Sequence, residues 1–208
     1  MASKVISDFS LLQKSRINCA PFKLAKTEDA AVQAAKKLGF PVVLKIVSPD
    51  IPHKTDRGAV LLNLQNEQEV RGGYKKVLQN AKGAHVQGVL VQKMAKSGIE
   101  VIIGGKRDSQ FGQLIMFGMG GIFVEIYKDV AWRVCPIDKS EAAKMMREVK
   151  GYKVLAGARG KPINEAALID TLAKVSQILI KKNPSELDLN PVIVHKDYCE
   201  VVDMRMVK

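Results

Sequence analysis

Four places in the chain hold residue types able to do chemistry on an anionic substrate. In PVVLKIV, residues 41–47, a period of two puts Val42, Leu44 and Ile46 on one face of a strand and Lys45 on the other. A lysine on a rigid strand can reach nucleotide phosphates as a point charge, although the same pattern suits a surface lysine on an edge strand. The stretch that follows, SPDIPHKTDRG, places His53 in a proline-punctuated loop of a chain with only three histidines. A neutral imidazole there can accept and release a phosphoryl group, with Asp56 to orient it, or it is an ordinary loop histidine. FGMGG sets Gly118, Gly120 and Gly121 between two strands, without the spacing of a P-loop and without a following helix. Its backbone N–H groups could approach an anion, or the glycines form a plain tight turn. Finally, LDLNPVIV and YCEVVDMR carry Asp188, Asn190 and Asp203 on two strands that could pair. A few hard oxygens suit Mg2+ shared with nucleotide phosphates; an Asn-Pro turn with solvated acids is the alternative.

Elements able to position these residues can be read around them. Thr27 is placed to cap a helix in TEDAAVQAAKKLGF, with Ala31, Ala34, Ala35 and Leu38 at helical spacing and Gly39 as its stop. AVLLNL predicts a second strand beside PVVLKIV. Asn66 and Glu69 stand at capping-box spacing before a helix whose apolar stripe is Val70, Tyr74, Val77 and Leu78, weakened by Gly72 and Gly73. From about residue 85 the pattern changes to VQGVLVQKM, IEVIIGG, QLIMFG, IFVEIYK and VAWRVCPI. Turn signals such as Lys106-Arg107-Asp108 between them predict antiparallel connections. Two helices follow, over 140–149 and 164–182, the second with Leu168, Leu172, Val175 and Leu179 on one face.

Composition limits the function classes. Thirty-three Lys and Arg against 21 Asp and Glu give +12, which favours a polyanionic partner. With aromatics at 5% and the positive charge scattered, the base-stacking pattern of a single-strand nucleic-acid binder is missing. Cys19, Cys135 and Cys199 are far apart with no CxxC, which argues against a disulfide framework or a zinc site and for reduced thiols in a cytoplasmic protein. No apolar run approaches the length of a bilayer span.

Taken in order, GFPVVLKIVSPDIPHKTDRGAV, GIEVIIGGKRDSQFGQLIMFGMGGIFVEIYKDVAWRVCPI, LAGARGKP and ELDLNPVIV with VVDMR resemble the ATP-grasp β subunit of ADP-forming acyl-CoA (acetyl-CoA) synthetases, a relative of the succinyl-CoA synthetase β subunit. The resemblance covers nearly all of the chain from about residue 20. The family loop runs into two glycines where this chain has Gly58 followed by Ala59. The resemblance implies an α/β (α+β) ATP-grasp fold of two lobes, 1–90 and 91–208, with a nucleotide cleft between them. It implies ATP or ADP with Mg2+ as cofactors. It also implies an α-subunit partner that carries the CoA-binding and ligase domains and through which the CoA thioester enters. The joint reaction would convert acyl-CoA, ADP and phosphate to acid, CoA and ATP. By position, His53 would relay the phosphoryl group, Lys45 would contact nucleotide phosphates, and the strand around Gln92 and Met94 would border the adenine. Glu100 would line the nucleotide pocket, Arg159 would contact phosphate, and Asn190 and Asp203 would hold Mg2+ with Asp188 in support. Two other classes stay open: an ATP-grasp carboxylate ligase without phosphohistidine, and a non-catalytic module, either a nucleotide sensor or a basic nucleic-acid binder.

Overall fold

In the computed structural model, residues 5–6, 9–51, 57–121, 128–157 and 163–207 are described. The chain divides into two units, Ala20–Lys96 and Met1–Cys19 with Ser97–Lys208. The boundary expected at residue 90 falls inside a strand, and residues 1–19 go with the second unit. The cause is strand pairing: Val5–Ile6 (β1) pairs with Arg205–Val207 (β11), Val201 N–H donates to the Asn18 carbonyl, and the Asn18 side chain donates to the Cys199 carbonyl.

In Ala20–Lys96, the strands Phe22–Ala25 (β2), Val42–Val47 (β3), Val60–Leu64 (β4) and Gly88–Lys93 (β5) form a sheet in the order β2-β5-β3-β4. Every pairing in it is antiparallel. Helices Glu28–Leu38 (α2) and Glu67–Asn80 (α3) share a core with Val42, Leu44, Ile46, Val89 and Val91. Both caps are formed as the sequence predicts. The Thr27 hydroxyl accepts from Ala30 N–H, and the Asn66 side-chain oxygen Oδ1 accepts from Glu69 N–H, while the Asn66 side-chain NH2 donates to the Glu69 carboxylate. Gly73 does more than weaken α3, because a Cβ there would lie 3.2–3.3 Å from Leu44, Leu61 and Leu64. The helix backbone uses that space to approach the sheet. Leu78, expected on the buried stripe, is 36% exposed, since the contact face runs through Val70, Gly73, Tyr74 and Val77 and position 78 lies past its edge.

The larger unit is built on Ile99–Asp108 (β6), Gly112–Met119 (β7), Val130–Val134 (β8), Glu186–Val194 (β9), Cys199–Val201 (β10) and β11. Together with β1 they give, among the described residues, a seven-stranded antiparallel sheet in the order β1-β11-β9-β6-β7-β8, with β10 also on β9. Helices Ser10–Lys14 (α1), Lys139–Glu148 (α4), Tyr152–Leu155 (α5) and Glu165–Lys182 (α6) complete the unit. The predicted stripe of Leu168, Leu172, Val175 and Leu179 is fully buried. At Gly105 a Cβ would come within 2.4 Å of the Leu179 side chain, so α6 lies directly on β6 there. Lys106–Asp108 are strand, not turn: the reversal comes at 109–111, where the Asp108 carboxylate accepts from the N–H groups of Gln110 and Phe111. YCEVVDMR is split into β10 and β11. Most of IFVEIYK lies outside the described residues. The class is α+β with two antiparallel sheets, and among the described residues no helix is long and apolar enough to cross a membrane.

All three cysteines are free and buried. Burial pushes the Cys135 thiol up to about 11 and raises those of Cys19 and Cys199. A raised thiol pKa keeps the unreactive protonated form through neutral pH. A chromogenic disulfide reagent at pH 8 is therefore expected to find no fast-reacting thiol in the native chain and three in denaturant; one fast native thiol would contradict this burial.

Candidate functional site

Lys45 and Gln92 stand on the face of the smaller sheet turned away from α2 and α3. Register fixes this: Lys45 is opposite Leu90 and Val43 is opposite Gln92, while Val42, Leu44, Val89 and Val91 face the helices. The two polar residues are thus diagonal neighbours across β3 and β5. Because β3 lies between β5 and β4, the edge-strand reading of Lys45 does not hold, and the residue is only 4% exposed. Gln92 is completely buried; its amide nitrogen reaches the Ala20 carbonyl at 3.5 Å, and its oxygen has no hydrogen-bond partner among the described residues. An orphaned buried acceptor costs about 1–3 kcal/mol, so this oxygen is suited to a ligand donor. The N–H groups of Lys93 and Met94 are already given to the carbonyls of Pro21 and Pro41. A base bordering this strand must be met by other atoms. The Lys93 ammonium is structural, donating to the carbonyls of Gly39 and Phe40.

His53 and Asp56 lie outside the described residues, as does Arg159. The chain on both sides of residues 52–56 is pinned. The Ser48 hydroxyl accepts from Asp50 N–H, the Asp50 carboxylate accepts from His85 N–H at 2.6 Å, and Ile51 is buried. After the loop, the Asn80 amide donates to the Gly58 carbonyl at 2.7 Å and Ile46 N–H donates to the Ala59 carbonyl. Gly58 has φ +62°, and a Cβ on it would lie 2.9 Å from the Asn80 amide nitrogen, so the return favours glycine. Ala59 is fully buried against this return. Asp50 and Asn80 carry no sequence signal for this role, because their partners lie 35 and 22 residues away.

In the larger unit, Asp188, Asn190 and Asp203 are brought together by register. Both β10 and β11 pair with β9 in one continuous alignment, Val201 with Val192 and Arg205 with Asp188, which sets Asp203 opposite Asn190. Asp188 belongs to the sheet face away from the helices, since Leu187 and Leu189 fill the core and Asp188 is opposite Gly104. Glu100 alternates onto the same face of β6 as Gly104. Arg205, which sequence reasoning did not single out, stands beside Asp188 with its Nε buried and without a partner. Among the described residues no cluster of three or more His, Cys, Asp and Glu could hold a metal alone. Asp188, Asn190 and Asp203 are hard oxygen donors that fit a Mg2+ ion only if phosphate oxygens complete its shell.

The glycine segment resolves in favour of close packing. Gly120 N–H donates to the Glu100 carbonyl at 2.8 Å, and a Cβ on Gly120 would meet that backbone at the same distance. That N–H is therefore unavailable to an anion. A second missed residue, Asp129, is buried and braces the turn after α4: one carboxylate oxygen accepts from Lys150 N–H at 2.8 Å, the other from Gly151 N–H at 2.7 Å. Its only sequence signal is an acid immediately before an apolar strand.

Comparison with known proteins agrees with the fold. The ATP-grasp domain family matches residues 6–207. The chain is 46% identical over 192 residues to the acetate–CoA ligase [ADP-forming] I subunit beta of Pyrococcus furiosus, covering 89% of this chain and 83% of that one. It is 47% identical over 203 residues to acetate–CoA ligase [ADP-forming] I of Archaeoglobus fulgidus, covering 95% of this chain but 30% of that protein. Among solved structures, the dinucleotide-forming acetyl-coenzyme A synthetase 1 of Candidatus Korarchaeum cryptofilum superposes with a TM-score of 0.83 at 41% identity, over 95% of this chain and 88% of the other. That structure holds coenzyme A and Mg-AMPPCP, with its phosphohistidine segment pointing towards the nucleotide binding site.

The brace at Asp129 is testable without ligand. Asp129→Asn replaces one acceptor by a donor facing an N–H, so urea unfolding should show a loss of about 1–3 kcal/mol. An unchanged midpoint would mean that the two bonds contribute nothing net.

Proposed function

Because the chain belongs to the ATP-grasp domain family, and within it to the β subunits of ADP-forming acetate–CoA ligases, we propose that it binds Mg-ADP or Mg-ATP and passes a phosphoryl group through His53 while acyl-CoA, ADP and phosphate become acid, CoA and ATP. The observation that carries this reading is the buried pair Lys45 and Gln92 on a sheet face that packing against helices does not require. A buried amide oxygen without a donor is costly, and Lys45 sets a positive charge on the same face. A nucleotide matches both, with an exocyclic amine for Gln92 and phosphate near Lys45. Met94 borders the base, and Glu100 and Arg159 line the pocket. Asn190 and Asp203, with Asp188 in support, hold Mg2+, which when bound neutralises phosphate charge. On this reading Ala20–Lys96 is the lobe of the lysine strand and histidine loop, and Ser97–Lys208 the lobe of the metal ligands.

The partner in this proposal is an α subunit that binds CoA and forms the phosphohistidine which His53 discharges. Covalent carriage on imidazole protects the phosphoryl group from water over a distance where a free acyl phosphate would hydrolyse. The pinned flanks 48–51 and 57–59 give the loop fixed ends from which to present the ring. Three buried, unpaired thiols suit the reducing cytoplasm as its compartment.

Reconstitution with the partner subunit and ATP labelled at the γ-phosphate tests the proposal. The chain should acquire acid-labile, base-stable phosphate, because a phosphoramidate hydrolyses when its ring is protonated. His53→Ala should abolish this label and cut turnover by orders of magnitude while leaving ADP affinity nearly intact. Normal turnover of that variant would sink the relay. Nucleotide binding without label would favour the carboxylate ligase, and no thermal shift with Mg-ADP would favour the non-catalytic module. Lys45→Ala should weaken ADP binding by about 1–3 kcal/mol.

The metal assignment has its own readout. In calorimetry, Asp203→Asn is expected to weaken Mg-ADP far more than metal-free ADP, whereas equal losses would remove Asp203 from the metal shell.

A further inference from the structure

Away from the residues discussed so far, α1 and α6 enclose a hollow of about 370 Å3. Leu11 and Ile178 contribute its apolar part, and Lys14, Lys174, Lys181 and Lys182 its charge. Lys174 is committed to Asp170 and to the Arg16 carbonyl. Lys14, Lys181 and Lys182 have no ion-pair or hydrogen-bond partner through their side chains among the described residues. The surrounding chain offers none: residues 9–26 and 171–185 contain no Asp or Glu. Gln177 also lines a second hollow, of about 450 Å3, at the β8–α4 corner, where Val134, Pro136 and Ile137 are apolar but the charged residues are Asp138, Glu141 and a Lys144 already paired with Glu141. The lysine-rich site is therefore the first hollow alone, a groove with an apolar bed of Leu11 and Ile178.

We propose that this groove docks an acidic, partly apolar segment of another polypeptide. The charge selects the ligand: three uncompensated ammonium groups on one rim need carboxylates. The form of the site selects against a small phosphate. Lys181 and Lys182 stand in the last turn of α6, whose C-cap Asn183 is left-handed, so this helix end presents carbonyl groups and a partial negative charge. There is no arginine fork or N-terminal nest to cradle a compact anion. Nucleic acid is disfavoured because no aromatic side chain lines either hollow. A second copy of the chain, at +12, would repel rather than dock. An extended peptide satisfies both parts of the groove, with carboxylates on the lysines and apolar side chains over Leu11 and Ile178. The inference is independent of the nucleotide reading, and failure of either leaves the other standing.

The full chain can be titrated with a fluorescein-labelled peptide of alternating Glu-Glu-Leu units, read by anisotropy. Binding should saturate and weaken with salt. Combining Lys14→Glu, Lys181→Glu and Lys182→Glu should weaken it by about tenfold or more, since each lost rim pair is worth up to about 1 kcal/mol. Lys37→Glu, Lys76→Glu and Lys82→Glu together change the net charge equally in the other unit and should have little effect. Replacing the leucines of the peptide by serine should also cost affinity. Equal losses in the two triple variants would reduce the effect to bulk charge and overturn the proposal. Displacement by tripolyphosphate or single-stranded RNA at lower concentration than unlabelled peptide would overturn it in favour of a phosphate ligand.

Discussion

The sealing of one face of each sheet by a helix pair is the constraint on which the rest of the molecule depends. In the smaller unit α2 and α3 cover Val42, Leu44, Ile46, Val89 and Val91; in the larger, α6 lies against Gly105 of β6. Once that face is buried, register is no longer free, because a slip of one residue would turn every core side chain outward. The opposite face is then determined residue by residue. Lys45, Gln92 and Asp188 take the face they do because their apolar neighbours on the same strands are fixed.

This explains what the sequence could and could not reveal. Alternation in PVVLKIV was enough to separate Lys45 from its apolar neighbours, and the stripe Leu168, Leu172, Val175 and Leu179 was enough to orient α6, because both depend on period alone. The juxtaposition of Asn190 with Asp203 needed pairing register, which local pattern only suggested. The ends 48–51 and 57–59 and the brace at Asp129 were illegible, since they depend on bonds between a side chain and backbone groups far along the chain. Gly73 reads locally as a weak point of α3 and Gly120 as an anion-facing or tight-turn glycine, whereas each lets another backbone or side chain come close. The roles of His53 and Arg159 came from family resemblance, which transfers chemistry that no periodicity encodes.

The positive charge excess also has a structural side. Many acids are used within their own units: Glu28 and Asp29 hold Arg71, Glu67 holds Lys36, and Glu141 and Glu148 both hold Arg133. The Arg71 bond lowers the Glu28 pKa and the Arg133 bond lowers that of Glu141, so these carboxylates stay ionised to lower pH than usual. Exposed pairs of this kind add little stability. They do remove negative charge from the field, so that the remaining lysines act on whatever anion approaches.

Strand pairing decides when each sheet can be completed as the chain leaves the ribosome. Ala20–Lys96 is contiguous, and all of its strands have been synthesised once β5 is complete. The larger sheet is different, for β6 must wait for β9, and β1 for β11, far along the chain. At roughly 5–20 residues per second, β6 and β7 stand for several seconds as a hairpin with an unpaired edge. Vectorial synthesis therefore exposes a template for intermolecular pairing in nascent chains, and the two consecutive glycines of β6, Gly104 and Gly105, with Lys106 and Arg107 after them, fall on that edge where weak strand propensity and charge discourage wrong partners.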